Sequence, residues 1–421
     1  MQGLYVHIPF CVKKCGYCDF YSEVASEAEA QRYLDAIEAE LILRTRELDE
    51  TGVFGGWYGA QRTPGAGAAL QARDGKSFAP STVFFGGGTP TKLSADQLRR
   101  LGEILHRHVD LSQVCEWTSE INPGTLDADK ARALAEMGVN RASFGVQSFD
   151  PAWLAKLDRS HEAGKVDEAL AFAADAGIAR RSIDLMFALP GQTLEEWNAD
   201  LDQAFARETT HISLYALMFE DDTPLTKAME RGEVQPTDPD LEAEFFELTR
   251  KRCAERGLYH YEVSNFAKPG EESLHNTLYW RCGDWLGLGS GAHSATGRTR
   301  WANAGDHRKY AEALLDRAGD PLVLAAEKRF PTTLLEHNSP EDFADEMLLM
   351  GLRLKAGVDA QDFAARAGVS IEDRCGPSLD ALREMDLISW DQQRLAVTDQ
   401  GMLVLDQVIL ELTRAPLTLS A

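Results

Sequence analysis

Leu4-Tyr5-Val6-His7-Ile8-Pro9-Phe10-Cys11-Val12-Lys13-Lys14-Cys15-Gly16-Tyr17-Cys18 is the stretch that decides how this chain folds. Leu4 to Ile8 has the length and apolar character of a buried strand. Three cysteines spaced CxxxCxxC follow it directly, and three thiols in so short a stretch need a chemical reason. A structural zinc site wants four protein ligands, commonly in two close pairs, and no second pair occurs in the sequence. Three close thiolates suit a [4Fe-4S] cluster whose fourth iron is left to an external ligand. Cys11, Cys15 and Cys18 are therefore the metal-ligand candidates. Cys115, Cys253, Cys282 and Cys375 stand isolated, and seven cysteines in 421 residues are unlike the dense even sets of disulfide scaffolds.

Outward from this stretch, short apolar runs alternate with helical patterns to about residue 220. Leu4 to Ile8, Thr82 to Phe85, Trp117 to Ile121, Arg141 to Val146, Ser182 to Phe187 and His211 to Leu217 read as parallel strands, too apolar for the edges of an open antiparallel sheet. Glu29 to Leu48 reads as a long amphipathic helix. Ser94 caps a second helix with Leu98, Leu101, Ile104 and Leu105 on one face, and Thr193 with Glu196 forms a capping box for a third. The fold class is thus α/β. Six such units build a partial (β/α)6 barrel, with its chemistry at the carboxyl ends of the strands.

Gly52 to Pro80 interrupts the rhythm with Gly, Ala, Pro and Ser and is expected to be a flexible, exposed insertion in a barrel spanning 1–228. A connecting region, 229–335, carries His275-Asn276-Thr277-Leu278-Tyr279-Trp280. From 336 to 421, helical stretches (Glu346 to Leu354, Ser378 to Met385) precede two short strands around the polar turn Asp391-Gln392-Gln393. That order predicts a helical, winged-helix-like domain.

Asp plus Glu number 67 against 43 Lys plus Arg, a formal net charge of −24. Such a surface repels phosphate backbones, and the acidic excess extends into the carboxyl-terminal module, so nucleic acid is not an expected partner and that module reads as an interaction or lid domain. No apolar stretch approaches the roughly 18 residues of a membrane span, and the amino terminus lacks the pattern of a secretory signal. A cytoplasmic location is expected.

The CxxxCxxC spacing after the first strand, with Tyr17 before the last cysteine, resembles the radical S-adenosylmethionine (SAM) superfamily. Gly86-Gly87-Gly88-Thr89-Pro90 at the second strand end agrees with this. Within the superfamily the chain is similar to the branch holding the oxygen-independent coproporphyrinogen III dehydrogenases and the haem chaperones, HemN and HemW. Tyr5 to Cys11, Glu120 to Gly124, Gly145 to Phe149, Asp184-Leu185 and Leu189 to Thr193 carry that similarity over nearly the whole chain. It implies that Tyr5, Tyr17, Gly87, Gly88, Thr89, Glu120, Gln147, Arg159 and Asp184 surround SAM, with main-chain contact from Met218. The three glycines would admit the ligand's amino group, carboxylates would take the amino group or ribose hydroxyls, and Arg159 would pair with the carboxylate.

Two features divide the branch. The dehydrogenase pattern calls for a further cysteine two positions beyond Cys18, where this chain has Phe20, and for an amino-terminal extension that Tyr5, so near the start, does not leave room for. The chaperone pattern calls for HNxxYW, present at His275 to Trp280. By that resemblance His275 offers an imidazole to haem iron, while Tyr279 and Trp280 offer flat apolar surface. From the residues alone, a His-Asn pair beside two aromatics equally well packs and hydrogen-bonds. The resemblance implies a haem chaperone binding haem, a [4Fe-4S] cluster and SAM, with acceptor haemoproteins as partners. A homodimer, and peripheral membrane association through the acceptors, stay open. The alternative is a radical enzyme acting on a porphyrin, and SAM cleavage is compatible with either. Gly287-Leu288-Gly289-Ser290-Gly291-Ala292 superficially fits a dinucleotide fingerprint but lacks its strand, helix and acidic context, so it reads as a tight packing site. His7 reads as structural.

Overall fold

The computed structural model describes residues 2–61, 75–159, 164–316 and 332–414. All six expected strands form: β1 (Gln2–Ile8), β2 (Thr82–Gly87), β3 (Glu116–Ile121), β4 (Arg141–Gln147), β5 (Arg180–Phe187) and β6 (His211–Ala216). They pair in chain order and in parallel. The β1–β2 register runs from Gly3↔Thr82 to Ile8↔Gly87, so the cysteine loop and the glycine run leave the sheet side by side.

Alternation explains both faces of this sheet. Leu4, Val6 and Ile8 of β1, with Phe85, Ile121, Ala142, Phe144, Val146, Ile183 and Leu185, pack beneath the helices. Those helices have the expected caps. Ser26 and Glu29 box the start of Glu27–Thr51, which ends at Gly52 in the left-handed region, φ 77°. Ser94 with Gln97, and Thr193 with Glu196, box Ala95–His108 and Leu194–Phe205.

The connecting region is not a separate layer. Strands β7 (Tyr259–Glu262) and β8 (Asn265–Ala267) extend the sheet beyond β6, with β8 antiparallel to it. On the other side β9 (Asp284–Leu288) pairs parallel to β1, followed outward by β10 (His293–Thr296), β11 (Thr299–Asn303) and β12 (Thr332–His337) in antiparallel order. Six parallel strands alone leave two edges of unpaired backbone groups, and the later sequence covers both, giving a twelve-stranded sheet.

The interruption after Gly52 needs a correction. Phe54 and Phe78 are buried and meet edge to face at 4.7 Å, and Ala60 and Ala79 are buried beside them. The two ends of the stretch expected to be exposed are therefore part of the core; residues 62–74 lie outside the described residues.

The carboxyl-terminal module has its own core, including Phe343, Leu348, Phe363, Leu395 and Val408. Helices Pro340–Gly351, Ala360–Ala367, Ile371–Cys375, Ser378–Glu384 and Leu405–Thr413 surround β13 (Val358–Asp359), β14 (Ile388–Trp390) and β15 (Arg394–Val397), with β15 central. Asp391 closes the hairpin by accepting from the amides of Gln393 and Arg394 at 2.9 and 2.8 Å. The module is pinned to the barrel sheet where Val263 donates to the Arg353 carbonyl at 3.1 Å and Lys355 to the Tyr261 carbonyl at 3.0 Å. Among the described residues no helix is long and apolar enough to cross a membrane.

Candidate functional site

At the carboxyl end of β1 the chain turns into the cysteine loop. The loop is held at its base by Cys11 donating its amide to the Glu23 carbonyl at 3.0 Å and Glu23 to the Pro9 carbonyl at 2.7 Å. At its tip the Gly16 carbonyl accepts from Leu225 at 3.0 Å, and Tyr17 packs with Trp153, Leu157, Met186, Leu189 and Leu217. Cys11, Cys15 and Cys18 are all free and partly exposed. Thr89 Oγ1 lies 3.7 Å from Cys11 Sγ, and Arg159 Nη1 donates toward Cys15 Sγ at 3.7 Å. Burial pushes the Cys18 thiol up to about 11, with Cys15 and Cys11 adding to it. Among the described residues no group of His, Cys, Asp or Glu side chains stands ready to hold a metal ion. The donor set, three thiols flanked by a hydroxyl and a guanidinium, fits an iron–sulfur cluster.

The glycine run is also required by the packing of the sheet itself. A Cβ on Gly87, where φ is +106°, would stand 2.4 Å from the His7 ring, and one on Gly88 would stand 2.9 Å from the Phe10 amide nitrogen. The side-chain space at both positions is already filled by β1 and its continuation. Gly88 and Thr89 donate to the Ile8 and Phe10 carbonyls at 2.9 Å each. His7 is locked: Nε2 donates to the Tyr21 carbonyl at 3.1 Å, so Nδ1 is the acceptor for the Tyr5 hydroxyl at 3.0 Å. Burial lowers its pKa to about 4, which keeps the imidazole neutral.

Two carboxylates line the barrel interior. Glu120 accepts from the Gly87 amide at 3.2 Å, and burial, reinforced by Asp184, raises its pKa to about 8. Asp184 accepts from Ser143 at 2.9 and 3.0 Å and from Ser182 at 3.3 Å, and burial raises its pKa too. Gln147, at φ 72° beside a break in the β4–β5 register, accepts from the Tyr215 hydroxyl at 2.7 Å. Arg159 donates Nη2 to the Gly145 carbonyl, while its buried Nε has no partner. An unpartnered guanidinium N–H beside the Cys15 thiol, with the two buried acids on the same sheet, offers a cation for a carboxylate and carboxyl groups for an amine, and SAM carries both. Met218 is 67% exposed. Tyr5, Tyr17, Gly87, Gly88, Thr89, Glu120, Gln147 and Asp184 stand on β1 to β5 or in the loops that leave them, and Arg159 lies just beyond the short helix Pro151–Lys156.

The HNxxYW residues occupy the helix Leu274–Trp280, capped by Ser273. His275 is fully buried, with Nδ1 2.8 Å from Thr82 Oγ1 and Nε2 2.7 Å from the Tyr279 hydroxyl. Neither ring nitrogen is free to ligate iron as the side chain stands. The Trp280 ring lies against the Arg353 guanidinium at 5.8 Å with its indole N–H buried and unpartnered. Glycines of the Gly287 to Ala292 stretch meet the sheet closely: a Cβ on Gly287 would stand 2.1 Å from the His293 carbonyl oxygen and one on Gly289 2.3 Å from the Tyr33 hydroxyl.

Ser143, Ser182 and Tyr215 were not expected at the site. The signal was present in the sequence. Tyr5 and His7, Ser143, Gly145 and Gln147, Ser182 and Asp184, and Ser213 and Tyr215 alternate with apolar neighbours, which marks one polar face on strands otherwise read as continuous apolar runs.

Two family profiles match the chain: the Radical SAM superfamily over residues 5–204 and the HemN C-terminal domain over residues 338–404. Among curated relatives, "Heme chaperone HemW" of Bacillus subtilis (strain 168) is 34% identical over 97% of this chain and 98% of its own length. Its namesake from Escherichia coli (strain K12) is 31% identical over 97% of each chain. "Radical S-adenosyl methionine domain-containing protein 1, mitochondrial" of Bos taurus is 33% identical over 97% of this chain and 87% of its own. Of solved structures, coproporphyrinogen III oxidase (HemN) from Escherichia coli, described as a radical SAM enzyme, superposes with a TM-score of 0.76 at 21% identity, covering 98% of this chain and 90% of that one.

Proposed function

The chain belongs to the radical SAM superfamily, in the branch of the HemW proteins, and from that premise we propose that it is a haem chaperone that holds a [4Fe-4S] cluster and SAM and delivers haem to acceptor haemoproteins. The observation that carries this reading is the near full-length relationship to proteins named as haem chaperones. The likeness to HemN supports the fold alone. Phe20, 61% exposed where the dehydrogenase pattern has a cysteine, supports the chaperone side of the branch.

Cys11, Cys15 and Cys18 would hold the cluster, and Glu120, Asp184, Gln147 and Arg159 would hold SAM. When bound together these groups supply one-electron chemistry. The chain's own contribution is positional. The Arg159 Nε–H waits for an acceptor, the serines around Asp184 fix its rotamer, and His7 holds Tyr5 in place without carrying charge.

Anaerobic reconstitution followed by haem titration and a coproporphyrinogen III conversion assay on the same sample tests the reading. Haem should bind and no conversion should occur. Efficient decarboxylation by the unmodified protein would overturn the proposal in favour of an enzyme acting on a porphyrin.

A further inference from the structure

The HNxxYW helix sits where a haem ligand would be hard to reach and a positioning role easy to perform. Its first amides, those of Leu274 and His275, donate to the Glu116 carboxylate at 3.0 and 2.9 Å, and Glu116, fully buried, is paired with Arg180 at 3.0 Å. The helix presses on β1: a Cβ on Gly3 would stand 2.7 Å from Leu278 and 3.0 Å from His275 Cε1. Its far end is held by the carboxyl-terminal module, where Cys282 Sγ faces the Glu346 carbonyl at 3.7 Å and Arg366 donates to the Arg281 carbonyl at 2.9 Å. His275 cannot swing outward without loosening both its own hydrogen bonds and this packing.

From the same place the motif reaches the inner face of the barrel. The His275 ring stacks on Phe84 at 5.2 Å and 27°, and Phe84 stacks on Tyr5 at 6.2 Å and 28°. Phe84 and Glu120 are themselves adjacent, since a Cβ on Gly86 would stand 2.9 Å from the one and 3.1 Å from the other. Tyr279 meets His275 edge to face at 4.9 Å and Trp285 at 4.6 Å, and it lies near enough to Glu120 for the carboxylate to oppose ionisation of its phenol. Tyr5 feels both Glu120 and Tyr279. The hydroxyls of Thr82 and Tyr279 can each donate or accept, so a neutral imidazole is satisfied between them in either tautomer.

We infer that His275 and Tyr279 are positioning residues of the SAM pocket: they prop Phe84, Tyr5 and Glu120 from beneath instead of ligating haem iron. This rests on the reading above that the chain carries SAM. Removing the Tyr279 hydroxyl frees the imidazole to tilt and loosens the stack that ends at Tyr5.

The test uses the full-length, cluster-reconstituted protein and two readouts, SAM affinity by equilibrium dialysis and haem affinity with its Soret spectrum by titration. Tyr279→Phe should weaken SAM about fivefold, as expected for one buried hydrogen bond, and leave the Soret band in place. His275→Ala, which removes both hydrogen bonds and the stack, should weaken SAM about tenfold or more. His275→Gln, which keeps a donor and an acceptor for Thr82 and Tyr279, should recover affinity to within about twofold of the unmodified protein, with the Soret band unmoved. Unchanged SAM affinity in Tyr279→Phe overturns the inference, and so does a shifted Soret band in His275→Gln. If Tyr279→Phe does not fold, the contrast between the Ala and Gln variants at His275 decides. An unmodified protein that binds no SAM removes the cofactor reading and this inference together, and is visible before any variant is made.

Discussion

Glu120 is held protonated by its surroundings over much of the neutral range. Burial and the neighbouring Asp184 raise it from 4.5 to about 8. An acid whose folded pKa lies above its unfolded value takes up a proton on folding, so this group costs no stability below about pH 4.5, and its penalty grows as pH rises and is complete above about 8. Glu120→Gln keeps an acceptor for the Gly87 amide and removes the penalty. The unloaded variant should be more stable than the parent by about 2 kcal/mol at pH 8, with little difference at pH 4.5, given that a pKa unit corresponds to about 1.4 kcal/mol and coupling to Asp184 discounts the full shift. Denaturant melts at the two pH values measure this, and equal differences at both would refute the assignment. At the same scale, replacing Cys11, Cys15 and Cys18 together with Ser should abolish iron–sulfur absorbance after reconstitution, and retention of a full cluster would remove them as ligands.

Single elements fail for local reasons. In β2, Gly87 combines a φ of +106° with a His7 ring standing where its Cβ would go. Gly87→Ala should therefore cost at least about 2 kcal/mol, the strain of a left-handed residue plus displacement of a locked imidazole. Cluster incorporation should fall with it, because Tyr5, His7 and Tyr21 form one chain of hydrogen bonds. An unchanged denaturation midpoint would show that the β1–β2 contact gives way freely. After the helix Glu27–Thr51, Phe54 and Phe78 close a small aromatic joint at the edge of the core. Phe78→Ala should cost about 3 kcal/mol. A Gly-Ser linker replacing all of residues 52–80 should be poorly folded, whereas composition alone predicts that it is harmless. Thermal melts of both proteins decide between the two.

Over the whole molecule, the carboxyl-terminal module and the barrel share a boundary that neither completes alone. Cys282 belongs to the module's core, with Phe246 and Val263 packed against it, and all three come from the connecting region. Truncation after residue 337 should expose them, lower the melting temperature and promote aggregation, seen by calorimetry and size-exclusion chromatography. A monomeric barrel melting at the parent's temperature would mean that the boundary contributes nothing.

The sequence by itself determined the six parallel strands, the capped helices between them and the loop that carries three cysteines, because each rests on short-range information: apolar runs, cap residues and ligand spacing. It also marked Glu120, Asp184, Gln147 and Arg159, through a family resemblance and their position near strand ends. What it did not determine was what surrounds them. Two-residue strands such as Val358–Asp359 carry no periodicity to read, and a Gly- and Ala-rich stretch conceals that Phe54 and Phe78 meet across it. Only the tertiary structure joined residues 229–335 to both edges of the sheet, placed His7 in the space beside Gly87, and turned His275 inward onto Thr82, Phe84 and Tyr279. Such contacts are long-range, 193 residues apart between Thr82 and His275 and further between Gln2 and Asp284, and pairing at that range is set by which edges and cavities the folded chain leaves to be filled.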